Sequence, residues 1–189
     1  LLTKLRAGNK YEDILRKEIS ARLSYFLPLK SESEVGESEL YENNIIFVGN
    51  IDGTLIKKCA HLINVPNQNE GYSIYVGESI FSKENQMVII GAKDSAGLLY
   101  GCMDFCNKYL GYIIYNGKNM WTDKTYINTF EQPLPTWSVS SAPSIKRRAL
   151  WTWGHVIYDY KNFFKNMAKL RLNEIIIWND VAPINAKEV

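Results

Sequence analysis

The stretch MAKLRLNEIIIWNDVAPINAKEV (residues 167–189) changes character twice within a short distance. Met167 to Leu172 continue a helical rhythm. Asn173-Glu174 breaks it, and Ile175-Ile176-Ile177-Trp178 then reads as a buried strand ending on the polar pair Asn179-Asp180. Working back, YDYKNFFKNMAKLRL (158–172) places Tyr160, Phe163, Phe164, Met167 and Ala168 on one helix face, with Asp159 as the capping residue. Before it, IKRRALWTWG (145–154) reads as another strand. Strand, helix and strand make one β–α–β unit, whose crossover should be right-handed. Alone, such a unit leaves two open parallel edges and an uncovered helix face. The residues from Ser144 onward fall far short of the about 250 that a complete (β/α)8 barrel needs. The expectation is therefore a truncated TIM (β/α)8 barrel, cut after its second strand.

Upstream of this unit lies EQPLPTWSVSSAPS (131–144), rich in proline and serine. It reads as a linker over 131–143. Everything before it, 1–130, reads as a separate α/β domain: a mixed sheet with helices packed on it. Ile14, Leu15, Ile19, Leu23 and Phe26 predict a leading helix over 11–27, stopped by Pro28. KSESEVGESELYEN (30–43) reads as an acidic, solvated loop. NIIFVGN (44–50) and QMVIIGA (86–92) predict strands, and GYSIYVGESIF (71–81) alternates like one. DGTLIKKCAHLI (52–63) predicts a short helix capped by Asp52 or Thr54. The most regular run is KDSAGLLYGCMDFCNKYLG (93–111). Asp94 or Ser95 caps it, and Leu98, Leu99, Cys102, Met103, Cys106, Tyr109 and Leu110 form its buried stripe. Gly111 stands where a left-handed cap belongs. Gly97 and Gly101 are poor helix formers and make sense only where the helix lies close against a sheet. GYIIYNG (111–117) and KTYINTF (124–130) predict further strands.

Composition excludes several functions. A net charge of +2 without a basic tract offers no electrostatic argument for nucleic acid. No apolar run approaches the roughly 20 residues of a membrane span. Leu1 to Lys10 do not read as a signal peptide. The chain opens on Leu rather than Met, so a longer native chain is expected and no compartment is readable. Three cysteines, Cys59, Cys102 and Cys106, do not make a disulfide framework. Cys102 and Cys106 lie on an apolar helix face and read as small buried hydrophobes. His61 and His155 are too isolated to join a zinc site, which needs three or four ligands. His61 reads as a helix-boundary residue, whereas His155 follows a strand and could face a barrel mouth. GNIDG (49–53) lacks the third glycine of a dinucleotide loop, and the acidic stretch lacks the order of a calcium loop. No cofactor and no metal is expected.

The run Met87–Gly91 followed by KDSAGLLYGCMDFCNKYLG resembles the non-catalytic N-terminal domain that precedes the barrel in α-glucuronidases and family 20 β-N-acetylhexosaminidases. In those proteins a strand leads into a Gly-φ-φ-Tyr-Gly helix, where φ is apolar. PSIKRRALWTWG (143–154) is similar to their first barrel strand, Pro-x-φ-x-x-Arg, and DYKNFFKNMAKLRLNEIIIWND (159–180) to the first barrel helix and second strand, with a φ-Asn step between them. The resemblance spans roughly 70–111 and 143–185. It implies that Arg148 binds sugar hydroxyls, as the matching arginine does in hexosaminidases. A guanidinium at a barrel mouth suits that role, since its donors are fixed in a fork. Alternatively, Arg148 sits lower in the strand or pairs with an acid. Trp151, Trp153 and Trp178 could stack on a sugar ring near strand tips, or pack in a core. Asn179 and Asp180 could reach a ligand or start the next loop.

Glycoside hydrolysis needs two carboxyl groups, about 5–5.5 or about 6.5–9.5 Å apart. In the resembling families these come from later strands; here Asp159 lies on the loop before a helix and Asp180 has no identifiable partner. The sequence thus points to a supporting domain and first barrel elements of a glycoside hydrolase, active only in a full-length chain with carbohydrate as its partner. The resemblance points to an extracellular or cell-envelope setting. A stand-alone non-catalytic glycan- or protein-binding α/β module is the alternative. Self-association through the open strand edges is a third reading.

Overall fold

The computed structural model describes residues 30–110, 112–115, 118–121, 132–153 and 159–178. The helix expected at 11–27, the cap at Gly111, the strand at 124–130, His155, Asn179 and Asp180 lie outside the described residues. The described chain runs through helix α1 (Glu37–Glu42), strand β1 (Ile45–Asn50), helix α2 (Thr54–Lys58), strands β2 (Tyr72–Glu78) and β3 (Gln86–Ala92), and helix α3 (Ser95–Leu110). There follow strands β4 (Tyr112–Tyr115), β5 (Lys118–Trp121), β6 (Trp137–Ser141) and β7 (Ala149–Trp153), helix α4 (Tyr160–Lys169) and strand β8 (Glu174–Trp178).

Four strands form a mixed sheet in the order β1-β3-β2-β6. β1 runs parallel to β3, while β2 pairs antiparallel with both β3 and β6. Because side chains alternate across a strand, a sheet covered on both faces needs apolar residues at successive positions. β3 meets that demand, with Met87 to Ala92 all buried. Val88, Ile90 and Ala92 face one core with Tyr72, Ile74, Val76 and the stripe of α3. Met87 and Ile89 face the other, with Leu40, Ile45, Phe47, Leu55 and Ile56. α3 begins where Asp94 accepts the backbone N–H of Gly97 at 2.7 Å, a cap that satisfies an otherwise orphaned donor. Gly97 and Gly101 lie on its sheet-facing side. A Cβ at Gly97 would overlap the carbonyl oxygen of Gly71, and one at Gly101 would stand 2.8 Å from Cγ2 of Ile90.

Strand β5 falls between the two strands read at 111–117 and 124–130, and two further segments differ from their sequence reading. The acidic stretch at 30–43 contains α1, whose Leu40 is buried in the second core. One leucine among five glutamates is too weak a pattern to read as a helix, yet it suffices once a core receives it. Glu32 does further work there, accepting the N–H of Leu55 at 2.6 Å and so capping α2 in place of Asp52 or Thr54. The segment read as linker supplies β6, the sheet's fourth strand. Trp137 and Val139 turn inward against the first core while Ser138 and Ser140 are exposed. The Gln86 side chain ties the approach to this strand: it donates to Leu134 O at 2.9 Å and accepts from Leu134 N at 2.7 Å. The mixed sheet therefore includes Trp137–Ser141 from the segment read as linker. The prolines that suggested a linker flank an edge strand, where a missing N–H costs no ladder bond.

The three cysteines are buried and free. Burial pushes the Cys59 thiol up to about 11 and that of Cys106 up to about 12, and raises that of Cys102 as well. With so little thiolate near neutral pH they act as core residues. In the native chain, a thiol-specific chromogenic reagent at pH 8 should label them only at the rate of opening, and urea should make all three react quickly. Stoichiometric labelling within seconds of mixing would contradict their burial.

Candidate functional site

β7 and β8 form a separate parallel pair, with Leu150 opposite Ile175 and Trp153 opposite Trp178. α4 is the crossover between them. Asp159 caps it, accepting the Asn162 N–H at 3.1 Å. Its far end closes with the paired bonds of a left-handed helix terminus: Leu172 N–H to Met167 O at 2.8 Å and Arg171 N–H to Ala168 O at 3.0 Å. The chain then turns directly into β8.

The two ends of this strand pair differ in character. At the C-terminal ends stand Trp153 and Trp178, adjacent in register. Their side chains lie outside the described set. Trp151 sits in the middle of β7, opposite Ile176, and both side chains are well exposed, 57% and 46%. Leu150 is exposed as well. This is a large apolar surface for a parallel strand pair, whose strands are ordinarily covered on both faces.

The N-terminal ends carry the polar residues. Arg148 immediately precedes β7, and its guanidinium is fully engaged there. It donates to the Ile145 carbonyl at 2.7 Å, to the Arg171 carbonyl, to the Tyr100 hydroxyl at 3.2 Å and to the Glu70 carboxylate. Asn173 latches the two strands together. Its Oδ1 accepts the Arg148 N–H at 2.9 Å, its Nδ2 donates to Lys146 O at 2.8 Å, and its own N–H bonds Arg148 O at 3.1 Å. This is the structural reason for the φ-Asn step seen in the sequence. Beside it Arg147 forms an exposed pair with Glu174, which holds the Glu174 carboxyl below its usual range. Arg171 reaches Asp104 on α3 and the Tyr72 hydroxyl, the latter at 3.1 Å. Tyr72 in turn donates to Asp104. Burial, and then the Asp104 carboxylate, push the Tyr72 phenol above its ordinary range, so it remains a donor. Burial opposes the Arg171 charge, but Asp104 and Tyr72 outweigh it and hold the guanidinium above its usual value.

The structure thus places Arg148 at the opposite end of β7 from Trp153. Five residue steps separate them, about 16 Å in an extended strand. Arg148 thus stands where the strand begins, paired with the Glu70 carboxylate. Glu70, Tyr72, Asp104 and Arg171 were not singled out in the sequence, and Tyr100 entered only as the tyrosine of the Gly-φ-φ-Tyr-Gly run. The available signal was Arg171 itself, a residue with a Cβ standing at a helix end where glycine is usual.

No protein-family description matches this sequence, and no curated protein sequence matches it. Solved structures do. One is a family GH115 4-O-methyl-α-glucuronidase, BtGH115A, with specificity for decorated arabinogalactans: 12% identity, TM-score 0.53, covering 94% of this chain and 24% of that one. The chain shares the fold of about a quarter of that structure. A second is a GH138 enzyme targeting pectin rhamnogalacturonan II, at 14% identity and TM-score 0.49, with 94% and 24% coverage. The chain spans about a quarter of the length of these glycoside hydrolases. Among the described residues no helix is long and apolar enough to cross a membrane.

Proposed function

We propose that this chain is the non-catalytic supporting domain and first barrel unit of a carbohydrate-active glycoside hydrolase, which cleaves O-glycosidic bonds only as part of a longer polypeptide. One observation carries the reading. A parallel β–α–β unit stands apart from the mixed sheet yet docks on it, and both parts together follow the GH115 α-glucuronidase fold over 94% of the chain. The α-glucuronidase half of the sequence resemblance agrees with that likeness; the hexosaminidase half rests on motifs alone. In this reading β7 and β8 are the first two strands of a (β/α)8 barrel, and its remaining strands cover Trp151, Leu150 and Ile176. Sugar contacts come from the C-terminal ends, through Trp178, Asn179 and Asp180. The two carboxyl groups that hydrolysis requires come from later strands.

The test compares the natural longer polypeptide with residues 1–189 on aryl glycosides, aryl glucuronides among them, and on plant and host polysaccharides, by reducing-sugar release and calorimetry. The longer chain should release sugar and the shorter one should not. If the longer chain folds but neither binds nor cleaves any glycan, the hydrolase reading fails. Saturable glycan binding by residues 1–189 with no turnover by either chain would instead support the binding-module alternative.

A further inference from the structure

Among the described residues, Glu70 and Arg171 alone combine a Cβ with a positive φ, 62° and 63°. Left-handed backbone crowds a Cβ against the following carbonyl, so such positions usually carry glycine. Arg171 stands at the left-handed position ending α4, where glycine relieves that crowding. Glu70 stands in the turn just before β2, beside Gly71. Neither residue is there for its backbone, and both side chains cross between the two parts of the chain. From the layer domain, Glu70 receives Arg148 and, at 3.4 Å, Asn173. From the β7–α4–β8 unit, Arg171 meets Asp104 and Tyr72, with its guanidinium 5.5 Å from the ring centroids of Tyr72 and Tyr100. The Glu70 and Arg148 side chains are mostly buried, at 19% and 15% exposure, so solvent screens their attraction less than on an open surface.

We infer that Glu70 and Arg171 form a reciprocal latch that holds the parallel unit to the layer domain by the N-terminal ends of its strands. Each part contributes one strained residue and one or more receptors for the other's: Asp104, Tyr72 and Tyr100 on one side, Arg148 and Asn173 on the other. The latch sets the orientation of β7 and β8 against the sheet. It leaves their C-terminal ends at the far side of the pair. Nothing in this inference depends on which reaction the longer protein performs.

The backbone strain makes the test one of sign. Arg171→Gly and Glu70→Gly each relieve a left-handed residue while deleting the side chain. If the side chains only tolerate their positions, both changes protect the chain. If they latch, amide hydrogen exchange of residues 1–189, followed by mass spectrometry, should accelerate at least about tenfold over 149–153 and 174–178. Peptides from β2 and β3 should stay within about twofold of the native chain. Slower or unchanged exchange over β7 and β8 overturns the inference, and so does equal acceleration everywhere. Asp104→Asn, which removes one charge at constant volume, supplies the same reading should a glycine variant fail to fold. Local loss of protection supports the latch, and native protection overturns it.

Discussion

Replacing Gly97 by valine should cost about 3 kcal/mol or more of the layer domain's stability, a large part of the about 5–15 kcal/mol a domain of this kind possesses. A Cβ there overlaps the Gly71 carbonyl oxygen and comes within 3.0 Å of the Glu70 carbonyl carbon. These are backbone atoms of the turn leading into β2, so they cannot swing aside as a side-chain tip would. Even Gly97→Ala, which gains about 1 kcal/mol of helix propensity, should be net destabilising. Gly101 makes the comparison sharp. A Cβ there would meet the Ile90 side chain at 2.8 Å and the Tyr72 ring at 3.1 Å, side-chain atoms rather than backbone. The expected order of loss is Gly97→Val, then Gly97→Ala, then Gly101→Ala. Urea unfolding checks it, read as midpoint shifts at constant slope. Equal losses for the two alanine variants would mean that backbone contact does not set the helix–sheet distance.

Phe47→Ala should cost about 3–5 kcal/mol, the range for emptying a buried aromatic site. Phe47 is fully buried on the face of the sheet opposite α3. Its ring lies 6.3 Å from that of Phe81, edge to face, and it packs among Leu40, Leu55, Ile56, Met87 and Ile89. Phe47→Leu keeps most of the volume and should cost about 1 kcal/mol or less. The pair of variants tests whether the smaller core, built partly by the short helices α1 and α2, is a true second face of the domain. A loss below about 1 kcal/mol for the alanine variant would show it to be a loosely covered surface.

Much of the architecture was legible because the periodicities were strong. β1 and β3 read as strands from unbroken apolar runs, and burial on both faces is why those runs do not alternate. α3 declared itself through Asp94, its stripe and two glycines whose only physical use is close approach. α4 did so through Asp159 and its aromatic face. Weak local patterns were harder to read. β6 has two inward residues between serines and prolines, and it becomes a strand because β2 offers an open edge and Gln86 bridges to Leu134. α1 forms because one leucine finds a core. Arg148 was read as a sugar-binding residue, whereas its neighbours in space, Tyr100 and Glu70, are 48 and 78 positions away in the chain.

Local spacing alone pointed to a mixed α/β layer with packed helices followed by a parallel β–α–β unit, since hydrophobic period and capping chemistry act over a few residues and are written in order along the chain. Tertiary structure alone decided which end of that unit meets the layer and which charges meet across the joint. Glu70, Asp104, Arg148 and Arg171 have no local signature as partners. Ion pairs of that kind depend on where separate elements come to rest, and that follows from packing the two cores.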